Sequence, residues 1–393
     1  MSSVKPYKSK KKIIRTAAVP GSLYGLLTGQ LRFLNQHYEV IGVASEGAIM
    51  EIVAQREGIR TESINIERSI SPFKDLISLF KLYRFFVKEK PMMVHSITPK
   101  AGLLSMIAAY FARVPVRAHT FTGLIFPTQT GFLKKLLLLF DKVICAFATN
   151  VYPEGNGVKN DLTHYNVTKK PLTVIANGNV NGKDLSFFDP LLFPKESTKS
   201  EKNKLGISED DFVFIFIGRL VNDKGINELV HSFSQLSKKR SAIKLILVGS
   251  HEGETDVLPS STWDLLNTEK NIIWVGKKDD IRPYLSMANA LVFPSYREGF
   301  PNVVLEAGAM GLPALVTDIN GSNEIIVHGK NGYIVPSKDE QALLEAMTLF
   351  VEDSQLVLNM AQHARPMIAD RYEQSFVWDS LLEEYKRIEH KNS

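Results

Sequence analysis

Short runs of β-branched and aliphatic residues, each followed by an amphipathic stretch of helical length, recur along the whole chain and leave few architectures open. The runs include KKIIRTAAV, YEVIGVAS, MMVHSI, VRAHTFT and LTVIANG in the first half, and FVFIFIG, IKLILVG, NIIWVG, NALVFPS and PALVTD in the second. Strands that are apolar almost throughout, rather than at alternate positions, belong to parallel sheets covered on both faces. Amphipathic segments such as 72–90 and 225–239 supply the covering helices. The pattern is made twice, and 393 residues exceed what one core usually organises. The expected fold is therefore α/β, with two Rossmann-like doubly wound domains. The polar stretch at 181–206 marks their expected join, with 1–185 as the first domain (1–12 a basic tail), 186–370 as the second and 371–393 as a C-terminal helix. Two such domains facing each other would take a ligand in the cleft between them, at the carboxyl ends of strands.

Composition narrows the class. The single cysteine, Cys145, excludes an intramolecular disulfide and a cysteine-based zinc site, and fits a reducing cytoplasm. The opening MSSVKPYKSKKKIIRTAAVPG lacks the apolar core of a signal peptide. The most hydrophobic segment, FLKKLLLLFDKVICAFA, is interrupted by Lys134, Lys135, Asp141 and Lys142, short of the ~20 apolar residues that a membrane span needs. Charge is divided unevenly: residues 1–150 hold 21 Lys/Arg against 9 Asp/Glu, and the remainder 26 against 33. A basic half suits an anionic partner, or reflects only a solubility bias. Nucleic acid is a poor fit, because the basic half shows no module with interleaved stacking aromatics.

Two motifs in the second half carry chemistry. FVFIFIG runs into GRLVNDKG, where Gly218 permits a sharp turn, Arg219 follows the strand end and Lys224 precedes a helix. Arg offers two donors to phosphate oxygens and Lys a point charge, so the pair suits a diphosphate. Alone, two solvated surface cations would read the same way. Neither GxxxxGK[ST] nor a strand-linked GxGxxG is present. In SYREGFPNVVLEAGAMG, Glu298 precedes a helix that Pro301 opens, and Glu306 sits among Val303, Val304, Leu305 and Ala307. Amides at Asn302, Val303 and Val304 would face an anion at the helix start. Carboxylates at 298 and 306 suit sugar and ribose hydroxyls. A helix-start charge and a buried salt bridge are the structural alternatives.

Glu298 and Glu306 match the E-x7-E motif of the family 4 glycosyltransferases, retaining enzymes of the GT-B fold, which this chain resembles over roughly residues 13–385. GRLVNDKG is similar to the family's G-R-L-x-x-x-K-G, and VHSITPKAGLLSMIAA, RAHTFTG and VIANGNVNGKD resemble its bacterial polysaccharide-assembly branch. The resemblance implies a transferase moving a hexose or N-acetylhexosamine from a nucleotide sugar, UDP before GDP, to a lipid-linked or saccharide acceptor in surface polysaccharide synthesis. It implies that Arg219 and Lys224 hold the diphosphate and stabilise the leaving nucleotide, with Glu298 by the donor sugar and Glu306 on the ribose. Gly218, Gly299, Phe300, Asn302 and Val303 would line the donor site, and Lys277, with Lys278, would border the base. No cofactor is implied, and with no D-x-D after a strand no metal is expected. The C-terminal helix would return to the first domain.

The first half departs from the pattern. In HTFTG, Thr122 stands where many relatives carry a histidine; His119 lies three residues earlier, on the opposite side of a strand, and reads as a structural histidine. VPGSLYGLL replaces a double-glycine loop, leaving Ser22, Leu23 and Tyr24 as acceptor-side candidates, together with His95 and Lys100 in HSITPKAG and with His119 and Thr122. A polyprenyl-diphosphate acceptor would place the protein in the cytoplasm, peripheral on the inner face of the membrane. Lys5, Lys8, Lys10, Lys11, Lys12 and Arg15 would each add ~1 kcal/mol of attraction to an anionic surface. Leu133, Leu136, Leu137, Phe140, Ile144 and Phe147 form a helical stripe that reads either as a membrane-docking face or, preferably, as packing on the sheet. The alternative function is a non-catalytic sugar-nucleotide-binding or scaffold subunit, for which Thr122 is the best support.

Overall fold

A computed structural model describes residues 10–67, 71–251 and 256–391, so Lys5 and Lys8 lie outside the described residues. The chain divides into two compact units: Met1–Gly182 with Ser375–Ser393, and Lys183–Gln374. The first holds β1 (Lys12–Thr16), β2 (Glu39–Ala44), β3 (Arg60–Ser63), β4 (Met93–Ser96), β5 (Val116–Phe121) and β6 (Asn150–Pro153). They form one parallel sheet in the order β3-β2-β1-β4-β5-β6. The second holds β7 (Phe212–Ile217), β8 (Ile243–Val248), β9 (Ile272–Gly276), β10 (Ala290–Phe293), β11 (Ala314–Thr317) and β12 (Gly332–Val335). Their order is β12-β11-β10-β7-β8-β9, again parallel throughout.

Both sheets obey one rule: the chain winds outward from the first strand, then restarts on its other side. The order reverses between β1 and β4 in one unit and between β7 and β10 in the other. Connections leave the two strands toward opposite faces there, so the carboxyl edge opens into a crevice. The central strands are the apolar runs of the sequence; FVFIFI in β7 buries Val213, Phe214, Ile215 and Phe216 within the core of its unit.

The edges are where the sequence misleads. LTVIANG is not a strand: only Leu172 bridges to Val151, and Ala176 (φ 51°) and Asn179 (φ 60°) turn the backbone away. Strands β3, β6 and β12 have four residues each and stand at sheet edges, where RTES, NVYP and GYIV need bury less apolar surface than a central strand.

The helix Gln374–Lys391 belongs with the first unit, burying Val377, Leu381, Leu382, Tyr385 and Ile388. Its Tyr385 organises a polar cluster under the sheet. Arg15, only 2% exposed, donates from Nη1 to the Tyr385 hydroxyl at 2.8 Å and to Gln30 Oε1 at 3.2 Å. That hydroxyl lies 2.6 Å from His95 Nδ1, and His95 Nε2 lies 2.8 Å from Thr120 Oγ1. Burial holds His95 well below the usual histidine range. The neutral ring donates at one of these two nitrogens and accepts at the other. Arg15 is thus no membrane-facing cation, and His95 is no acceptor ligand at a strand end. Both were expected on the surface because neither their buried partners nor the C-terminal helix adjoins them in sequence.

Lys10 donates to the Asn35 carbonyl, while Lys11 and Lys12 pair with Glu389 and Glu89. The helix Gly131–Phe147 turns Asp141, Ile144 and Cys145 inward and leaves Leu136, Leu137, Phe140 and Phe147 half-buried, so its stripe packs inward except at Leu133, which is exposed. Removing the hydroxyl in Tyr385→Phe leaves Arg15 and His95 short of a partner. Denaturant unfolding should show a loss of about 1–3 kcal/mol.

Candidate active site

At the reversal of the second sheet, the segments after β7 and β10 converge. Gly218 continues β7, its N–H donating to the Val248 carbonyl at 2.9 Å, and Arg219 stands exposed just beyond it. A single turn, Asn222–Lys224, then leads into the helix Ile226–Ser237. The link is Gly225, in the left-handed region at φ +69°, where a Cβ would come within 2.1 Å of the Pro294 carbonyl oxygen. Only glycine allows the Lys224 turn to lie so close to the segment after β10.

That proximity builds the site. Lys224 Nζ donates to Glu298 Oε1, and Ser295 Oγ donates to the same oxygen at 2.9 Å. Both charged side chains are largely withdrawn from solvent. Asp223 holds two further cations nearby: Arg297 Nη2 at 3.4 Å and Arg219 Nη2 at 4.0 Å. Tyr296 donates from its backbone N–H to the Asp223 carbonyl at 2.9 Å. The two motifs, some seventy residues apart, are therefore one charged cluster.

The helix carrying Glu306 runs Asn302–Ala309, with Pro301 as the extended residue before it rather than its first turn. Asn302 and Val303 are half-exposed at its start. Glu306 is half-buried and accepts from Lys183 Nζ at 2.6 Å. Lys183 is itself held by its backbone, donating to the Tyr372 carbonyl at 2.8 Å and accepting from Gln374 N–H at 3.0 Å. No role is assigned to Lys183 from the sequence, although it lies both in the VIANGNVNGKD motif and in the polar stretch at the domain join. Phe300 packs in the core against Tyr372, with ring centroids 5.4 Å apart, so its backbone rather than its ring is available to a ligand. Lys277 and Lys278 are exposed at the carboxyl end of β9, beside β8 rather than at the reversal.

Acceptor-side candidates in the first unit separate sharply. Leu23 is a core residue at 0% exposure, while Ser22 stays half-exposed. Thr122 donates from Oγ1 to the Ile97 carbonyl at 3.0 Å. His119 is buried with Nδ1 2.7 Å from Ser96 Oγ, and burial pushes it down to about 3. It is a neutral structural group that fills the space left by Gly102, where a Cβ would meet its ring at 2.4 Å. Lys100 pairs with Asp75 at 2.7 Å. Among the described residues no group of three or more His, Cys, Asp or Glu is arranged to hold a metal ion.

Two family models match the chain: glycosyl transferases group 1 over residues 197–367, and a glycosyl transferase 4-like domain over 34–178. The capsular polysaccharide biosynthesis glycosyltransferase CapM of Staphylococcus aureus is 31% identical over 377 residues, covering 95% of this chain and 97% of its own. The chain is a family 4 glycosyltransferase. It is an enzyme, a hexosyltransferase of the polysaccharide-assembly branch, and the scaffold reading falls away. Its similarity extends to the UDP-Gal:alpha-D-GlcNAc-diphosphoundecaprenol alpha-1,3-galactosyltransferase of Escherichia coli, 28% identical over 94% of this chain and 95% of that one. The N,N'-diacetylbacillosaminyl-diphospho-undecaprenol alpha-1,3-N-acetylgalactosaminyltransferase of Campylobacter jejuni is 27% identical over 81% and 83% of the two chains. Among solved structures, Anabaena HepE in complex with UDP superposes with a TM-score of 0.80 at 18% identity, over 96% of this chain and 100% of that one. The glycosyltransferase fold is GT-B.

In this family 4 enzyme, Gly321 (φ +76°) carries the following turn against the Glu298 segment; a Cβ there would lie 2.5 Å from the Gly299 carbonyl oxygen and 2.7 Å from Phe300 Cα. Gly329 has nearly the same φ, +77°, with nothing within 4 Å. Thermal unfolding should therefore separate Gly321→Ala from Gly329→Ala. The second should cost about 1 kcal/mol for the left-handed backbone alone, and the first clearly more.

Proposed function

We propose that this enzyme transfers a hexose or N-acetylhexosamine from UDP-sugar to a saccharide on a polyprenyl diphosphate, with retention of anomeric configuration. The observation that carries the reading is the Lys224–Glu298 pair beside Arg219 at the strand-order reversal. Arg219 and Lys224 bind the donor diphosphate and stabilise the charge that grows on it as the anomeric C–O bond breaks, the largest electrostatic task in such a reaction. Glu298 holds the donor sugar, and its contact with Lys224 couples sugar to phosphate. Backbone at Gly299–Val303 meets sugar hydroxyls and phosphate, Gly218 gives the phosphates close approach to the backbone, and Lys277 borders the base. Glu306 accepts ribose hydroxyls in place of, or beside, Lys183. The cations do the work of a divalent metal, and none is needed.

The donor class is supported by the UDP in the fold relative and the UDP-sugar in the name of the Escherichia coli relative. The acceptor class follows the two relatives named for diphosphoundecaprenol carriers, each bearing an N-acetylated amino sugar. A panel of UDP- and GDP-sugars with a polyprenyl-diphosphate-sugar acceptor tests the reading. Transfer should occur with a UDP-sugar, survive EDTA, and fall at least about a hundredfold in Arg219→Ala and Glu306→Ala while the fold is kept. Wild-type rates in both variants would remove these residues from the site.

A lipid-linked acceptor calls for contact with a membrane surface, on the cytoplasmic side in our reading. No helix among the described residues is long and apolar enough to cross a membrane. The helix Pro72–Glu89 instead exposes Phe73, Leu76, Ile77, Phe80, Tyr83 and Val87 at helical spacing, beside exposed Lys74, Lys81, Arg84 and Lys88. Such a face lies naturally in an anionic interface. Sedimentation with vesicles should show binding that requires anionic lipid, weakens with salt and is lost in a Leu76→Glu/Phe80→Glu variant.

A further inference from the structure

A cavity of about 360 Å³ lies inside the first unit, where the chain leaves β1, β4 and β5, against the helix Gly131–Phe147. It sits at the reversal between β1 and β4, the position in this sheet that the charged cluster occupies in the other. Its size is that of a small-molecule site, which runs from roughly 300 Å³ upward. Val19, Leu103, Ile125, Leu137, Phe140 and Ile144 make its apolar wall, and Ser22, Thr98 and Lys100 add polar groups.

One acid interrupts that wall. Asp141 is 7% exposed, and among the described residues its carboxylate has no hydrogen-bond or ion-pair partner. Burial raises it to about 7. The groups around it are accounted for: Lys100, also on the wall, pairs with Asp75, and Lys170 donates to the carbonyls of Cys145, Ala146 and Ala148. The Cys145 thiol is pushed up to about 12 and stays neutral. An unmatched carboxylate in an apolar wall costs stability unless a ligand meets it.

The two features together select the ligand. A sugar with hydroxyls alone would find partners in Ser22, Thr98 and Lys100 but offer nothing to the apolar wall. A hydrocarbon chain would fit the wall and leave the acid unmatched. An acetamido group answers both, with a methyl for the wall and an N–H that makes a charge-assisted bond to the carboxylate. We infer that this cavity receives the N-acetylated amino sugar of the acceptor, Asp141 accepting its amide N–H. The inference rests on the acceptor class proposed above.

The test compares lipid-diphosphate acceptors bearing N-acetylglucosamine or glucose, in the wild type and in Asp141→Leu. The wild type should favour the acetamido acceptor at least about tenfold in kcat/KM, equivalent to ~1.4 kcal/mol. Asp141→Leu should lose that preference, with UDP affinity unchanged. Transfer without preference in the wild type, or a preference that survives the substitution, overturns the inference alone. So does a Leu137→Trp variant that keeps the sugar preference and alters only the dependence on lipid length, because the cavity would then hold hydrocarbon. Failure of every lipid-diphosphate acceptor, with UDP still bound, overturns the proposed acceptor class as well. Folding is checked by thermal unfolding. The folded carboxyl titrates near 7 and the unfolded one near 4, so the wild type gains stability as pH falls across that window. Asp141→Leu should therefore match or exceed it above neutrality and lose ground below.

Discussion

The site depends on one topological constraint: a parallel sheet that winds outward from its first strand must reverse order once. Between β7 and β10 the strand order reverses, and connections that part to opposite faces leave a crevice at the carboxyl edge. Segments that are distant in the chain then end side by side. Gly225 and Gly321 bring them closer than any side chain would permit, one toward Pro294 and the other toward Gly299. The charged groups are positioned by backbone contact first and by their own bonds second.

Those bonds explain how acids and bases so close together remain stable. Glu298 is matched by Lys224 and Ser295, Glu306 by Lys183, and Asp223 by Arg219 and Arg297. Each of these carboxylates has a cation within 4.0 Å, and Asp223 Oδ1 is buried without a hydrogen bond. In the proposed reaction, a hydroxyl-rich, diphosphate-bearing ligand exchanges partners with groups that the fold has already oriented, a condition for strong electrostatic stabilisation of a leaving group.

The first unit uses its polar groups differently. His95 and His119 are both buried, neutral and bonded to Tyr385, Thr120 and Ser96, so they fasten strands and the C-terminal helix rather than meet substrate. Asp141 is the exception, an acid facing an open apolar space.

By itself, the sequence determined the two parallel α/β units, because buried central strands must be apolar throughout, and it determined the chemical types at the site, because GRLVNDKG and the E-x7-E segment are local in the chain. Short edge strands such as RTES escaped notice because they bury little. The partners were a matter of tertiary structure: Glu306 met Lys183 from the join between units, and Arg15, read as a surface cation, was enclosed by a tyrosine from the far end of the chain. Leu23 and His95, read as acceptor-side groups, went to the core. Periodicity along a chain reports which face of an element is buried, but the atom that finally meets a side chain comes from whichever strand or helix the topology places beside it.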